Sequence, residues 1–70
     1  MNYQLVIFER KGKFWAYYCD ASRPPHYDLT MEQVSDKSVK GVLKKARGIK
    51  PKDGQVLFTY IDRGITVEFR

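Results

Sequence analysis

Between Lys37 and Lys52 the chain holds no aspartate or glutamate. It holds a single cysteine, Cys19, so no internal disulfide can staple it, and a reducing cytoplasm is the expected compartment. The opening run Leu5-Val6-Ile7-Phe8 is far too short to span a bilayer. Glu9, Arg10 and Lys11 follow it with no small-residue cleavage site, so neither a membrane anchor nor export is expected. Internal repeats and low-complexity tracts are missing as well. No phosphate-cradling glycine loop, carboxylate pair or serine triad can be found. Cys19, Asp20, His26 and Asp28 crowd four ligating side chains into ten residues. Their spacing makes neither a closed zinc set nor a thiol nucleophile with an orienting third group. The expectation is a protein without catalytic residues, metal or cofactor.

What is present is strongly segregated charge. Seven of the thirteen Lys and Arg residues (Lys37, Lys40, Lys44, Lys45, Arg47, Lys50 and Lys52) fall in that one stretch, while the remainder carries a small acidic excess. Crowding like charges costs self-repulsion, so such a stretch points to an anionic partner: nucleic acid, DNA or RNA, or an acidic protein surface. Seventy residues make one domain, 1–70, whose core is too small to enclose a large cavity. Ten aromatics exceed the needs of a one-sided core.

Tyr3 to Glu9 and Lys13 to Cys19 read as a β-hairpin with Lys11-Gly12 at its tip. A two-residue loop pairs Phe8 with Trp15, Ile7 with Ala16, Val6 with Tyr17 and Leu5 with Tyr18, which leaves both faces apolar. Pro24 and Pro25 break the ladder. His26 to Val34 alternates and favours a third strand, with a helix beginning at Thr30 as its rival. The preferred helix starts at Ser35 and turns Val39, Val42, Leu43 and Ala46 to the core. Gly48 is expected to end it in a left-handed conformation, with Ile49 folding back and Pro51 blocking continuation. Gln55 to Asp62 and Ile65 to Arg70 make a second hairpin around Arg63-Gly64, with Val56, Phe58, Tyr60, Ile65, Val67 and Phe69 inward. The predicted fold is α+β: an antiparallel four- to five-stranded sheet, ββ(β)αββ, with one amphipathic helix packed on one face.

Two surfaces are candidate sites. Lys37, Lys40, Lys44 and Arg47 recur at i, i+3, i+7 and i+10 and would form a one-sided rail on the helix, continued by Lys50 and Lys52 and accompanied by Lys45. Gly41 beside it would give a partner close access to the backbone. The second surface is the hairpin: Arg10, Lys11 and Lys13 lead into Trp15 and Tyr17, aromatics that could stack bases or anchor a protein interface. The same aromatics could instead be core.

Phe14-Trp15-Ala16 in the second strand, and a third strand running into Ser35-x-x-Ser38-Val39 at the head of a helix, resemble the partial RNase H-like domain of HicB-type antitoxins. The order is similar also to a small phage inhibitor of host RNA polymerase. The resemblance covers about residues 3 to 47. It implies a cytoplasmic, non-enzymatic regulator that acts by occupying a protein or nucleic acid, and it transfers no individual site residues.

The leading expectation is therefore a nucleic-acid-associated module that holds phosphates on its basic helix. The competing one is a protein-binding regulator, of the phage, mobile-element or antitoxin kind, that pairs the basic surface with an aromatic anchor. A homodimer through the hairpin's second face is compatible with either.

Overall fold

The computed structural model describes residues 1–25 and 31–62. β1 (Asn2–Arg10) and β2 (Lys13–Asp20) form the expected hairpin in the expected register, from Tyr3 opposite Asp20 to Arg10 opposite Lys13. At its tip Lys11 has φ 54° and Gly12 has φ 76°. Positive φ at both central residues is the primed turn whose twist matches the strands it joins. Glycine adopts that backbone freely, but lysine does so against the contact between its Cβ and the following carbonyl. Replacing Lys11 by Asn, which tolerates this region better, should therefore stabilise the protein by about 0.5 kcal/mol. Urea unfolding of the two proteins measures it, and a loss of stability would contradict the turn assignment.

β3 (Gln33–Asp36) pairs antiparallel with β2, setting Phe14 opposite Asp36 and Tyr17 opposite Gln33. β4 (Gln55–Asp62) pairs with β1 in parallel, giving the order β3-β2-β1-β4. The α+β class holds, and the sheet is mixed where an antiparallel one was expected. The reason is the connection. β3 runs parallel to β1, and the chain from Lys37 to Gly54 crosses over the sheet and enters β4 in the same direction, as a helical crossover does.

The third strand lies later than predicted, and the helix follows it. Ser35, expected to open the helix, belongs to β3, and α1 (Val39–Ala46) starts at the N-cap Ser38, whose hydroxyl accepts from the Gly41 amide at 3.0 Å. Residues 26–30 of the predicted strand, His26 and Asp28 among them, lie outside the described residues. The helix also ends differently. It tightens into a 3-10 turn, Arg47–Ile49, and Gly48 has no positive φ. Pro51 forces the residue before it out of the helical region, and Lys50 accordingly sits at ψ 129°.

α1 covers one face of the sheet. Leu5, Ile7, Ala16, Val42 and Ala46 are buried there, with Phe14, Tyr18, Val34, Leu43 and Val56 packed around them. The opposite face buries Val6, Phe8, Tyr17 and Cys19 with Trp15 and Met31 against them. The hairpin is thus apolar on both sides, as its pattern required. Two members of the predicted inward set, Phe58 and Tyr60, are instead 55% and 39% exposed. A bulge explains this: Tyr3 opposes Val56 but Gln4 opposes Phe58, so the extra residue Leu57 reverses the alternation of the strand. The proposed return strand Ile65 to Arg70, with Ile65, Val67 and Phe69, lies outside the described residues. No helix among the described residues is long and apolar enough to cross a membrane.

Candidate functional site

The basic stretch does not form one rail. Lys37 precedes the N-cap and lies off the helix, whereas Lys40, Lys44 and Arg47, at i, i+4 and i+7, share one flank of α1 and its 3-10 extension. These three line an open depression of about 230 Å³ with the half-buried Leu43 as its apolar floor. All three cations are exposed, and no carboxylate among the described residues pairs with them. Lys50 and Lys52, both exposed, follow on the segment leading to β4.

The depression has a firm support that sequence reasoning missed. Tyr18, which alternation along β2 places on the helix side, donates its hydroxyl to the carbonyl of Ala46 at 2.9 Å. That bond satisfies one of the helix's terminal carbonyls and fixes the last turn, where Arg47 begins. Burial raises the Tyr18 phenol above its ordinary pKa, and the nearby Arg47 charge opposes the shift. The phenol therefore stays protonated at neutral pH and remains the donor.

On the other flank stand Lys13, Lys37 and Lys45, lining a depression of about 290 Å³ with Ser35 and Asp36. The register that sets Phe14 against Asp36 brings the preceding residue, Lys13, beside Lys37 and into this depression. Lys45 is committed inside the fold. It lies 3.4 Å from the Asp36 carboxylate and donates to the Ser35 carbonyl at 2.9 Å. The Asp36 carboxylate also accepts from the Lys37 amide at 2.6 Å, and this bond leads in holding its pKa below the ordinary value; desolvation opposes it, and Lys45 and the Ser38 amide add smaller help. An ionised Asp36 thus offsets the positive charge on this flank.

Gly41 has an internal explanation. A Cβ there would lie 2.5 Å from the Asp36 carboxyl carbon, so the glycine makes room for the chain's own aspartate and not for an incoming strand.

Comparison with protein families, curated proteins and solved structures finds no match. The site is therefore read from its own geometry, and the resemblance to HicB-type domains remains one of element order.

The hairpin surface is largely internal. Tyr17 is fully buried, with its ring edge-on to Phe8 at a centroid distance of 5.8 Å, so it presents no face to a base or a partner. Trp15 is half-buried against the same cluster and donates its indole N–H to the Arg10 carbonyl at 3.2 Å. Arg10, Lys11 and Lys13 are exposed. The structure therefore brings together Lys40, Lys44 and Arg47, groups Lys13 with Lys37 and Lys45, and buries Tyr17. Among the described residues no cluster of His, Cys, Asp and Glu is arranged to hold a metal ion; Cys19 is buried, and Asp20 accepts from Ser22.

Proposed function

We propose that this chain is a small non-enzymatic module that binds nucleic acid, with Lys40, Lys44 and Arg47, continued by Lys50 and Lys52, contacting phosphates. The observation that carries the reading is the cationic groove: three exposed cations, without a carboxylate partner among the described residues, in one row around an apolar floor. Consecutive phosphates are anions spaced along a strand, and a row of cations spaced along a helix answers them. The Leu43 floor gives a sugar or base edge apolar surface to rest on. The competing reading, with an aromatic anchor for a protein partner, loses Tyr17 to the core and keeps only a half-buried Trp15. A cytoplasmic location and the regulator class belong to the same proposal, and rest on the single cysteine and the element order.

Five phosphate contacts make binding mostly electrostatic. The logarithm of the affinity for duplex should fall with the logarithm of salt concentration at a slope near −4.5, or about −3.5 for a single strand. Fluorescence anisotropy of labelled oligonucleotides across a salt series measures it. Absence of binding at low salt would remove the proposal, and a slope near zero would remove the phosphate contacts from it.

A further inference from the structure

Three lysines and one aspartate, together with Ser35, line the depression on the Lys45 flank of α1. They come from three separate stretches: Lys13 from the start of β2, Ser35, Asp36 and Lys37 from the end of β3 and just beyond it, and Lys45 from α1. The fold thus gathers cations that the sequence keeps far apart. The register of β3 on β2 sets Lys13 beside Lys37, and like charges opposed across strands are destabilising. Neither lysine has a carboxylate partner among the described residues, because the Asp36 carboxylate is taken by Lys45. Three positive charges against one negative leave the lining at +2. An anion held there would repay the crowding.

We infer that this depression is a binding site for a phosphate monoester dianion. Charge sets the class: a phosphodiester within a strand carries one negative charge, whereas a monoester carries close to two at neutral pH. A lining of +2 matches the monoester. The open volume of about 290 Å³ leaves room for the phosphoryl group and for part of what it is attached to. Lys45 is already in place to meet it. An ammonium has three donors, and Lys45 gives one to the Ser35 carbonyl at 2.9 Å and another to Asp36 at 3.4 Å. The third is left over, and the side chain is still 54% exposed. A lysine held in this way has already lost the rotamer freedom that binding would otherwise cost. Asp36 is fixed in turn by the Lys37 amide at 2.6 Å, in the space that Gly41 leaves for it. It is therefore a positioning residue for Lys45.

The site shares no lining residue with the groove of Lys40, Lys44 and Arg47 and does not rest on the nucleic-acid reading. Two sources carry the same group: a free mononucleotide or sugar phosphate, and the phosphorylated end of a strand. Below about pH 6 a monoester gives up its second charge. The charge of the site does not change there, because the Lys37 amide keeps Asp36 ionised and the other charged lining groups are lysines. Affinity for the monoester should therefore fall on acidification.

Titration of the full chain with adenosine 5′-monophosphate, and with its cyclic phosphodiester as the singly charged control, tests the inference by amide NMR at constant ionic strength. Saturable shifts should centre on Lys13, Lys37 and Lys45 with the monoester, and the diester should bind more weakly. Lys13→Gln with Lys37→Gln should weaken the monoester about tenfold. Both side chains are exposed, so the circular dichroism spectrum should stay the same. Lys40→Gln with Lys44→Gln should leave monoester affinity unchanged. Equal affinity for monoester and diester, shifts that do not saturate, or equal losses from the two double variants overturn the inference. A second arm compares one single-stranded oligonucleotide with a 5′-phosphate and with a 5′-hydroxyl. Tighter binding of the phosphorylated strand, lost in the Lys13 and Lys37 double variant, assigns the site to strand ends, and equal binding assigns it to free monoesters. The first arm contains no strand, so it decides the inference even where oligonucleotides fail to bind.

Discussion

Reversing Lys40 and Lys44 together to glutamate should lower affinity for a DNA duplex at low salt about 100-fold, which corresponds to about 2.7 kcal/mol. Each lysine lost from a phosphate contact removes about one unit from the salt slope, so the slope should flatten by about two. The fold should survive. Both side chains are exposed and without an ion pair among the described residues, and lysine and glutamate have similar helix propensity. The main cost is an anion near the helix C-terminus, about 0.5 kcal/mol at Lys44. A matched reversal of Lys11 and Lys13 changes net charge equally but leaves the groove intact, and should weaken binding only a few fold. Anisotropy at several salt concentrations, with a melting curve for each protein, makes the comparison. Equal losses from the two reversals would show that binding follows total charge and that the groove is not the site.

The parts of the fold that sequence reveals are those where local chemistry is decisive. The β1–β2 register follows from a two-residue loop with glycine at its second position, and every cross-strand pair then falls into place. The core stripe of the helix, Val42 and Ala46 foremost, follows from 3.6-residue spacing. The direction of β4 could not be seen in the same way. A strand reads alike in both directions, and its sense here depends on how the crossover returns over the sheet. The bulge at Leu57 was equally hidden, because it is defined by the mismatch of two distant strands and not by any residue within β4.

Charge shows a similar division. The basic stretch itself is plain in the sequence, but its geometry depends on where the helix starts. Moving that start from Ser35 to Ser38 takes Lys37 off the helix, and the register of β3 against β2 then gathers Lys37, Lys45 and Lys13 around Asp36. Gly41 carried a signal that invited the wrong reading. A mid-helix glycine announces a close approach, yet only the folded chain shows that the approaching group is the carboxylate five residues earlier.

Gly54→Ala should cost about 3 kcal/mol, at the upper end of what forced overpacking produces. A Cβ at this position would sink into the Met1 carbonyl oxygen and come within 2.8 Å of Cε2 of Tyr3. The carbonyl cannot simply rotate away, because the Gln55 amide donates to it at 3.4 Å where β4 begins its pairing with β1. Tyr3 is held too, its hydroxyl donating to Asp53 at 2.8 Å in a bond that leads in raising the phenol's pKa. Relief therefore requires the segment before β4 to pull away from the start of β1, which unzips the first parallel pairs, Asn2 with Gln55 and Tyr3 with Val56. Gly48→Ala is the contrasting change. A Cβ there meets nothing within 4 Å, and the backbone has no positive φ to strain. Removing that glycine restricts the unfolded chain and should stabilise by about 0.5 kcal/mol. Urea unfolding of both variants decides the point: if Gly54→Ala is as benign as Gly48→Ala, the crossover does not dock on β1 as described. Because Lys50 and Lys52 lie on this same segment, Gly54→Ala should also weaken nucleic-acid binding by more than its unfolded fraction explains. The groove on α1 would remain, but the segment that carries Lys50 and Lys52 would be displaced.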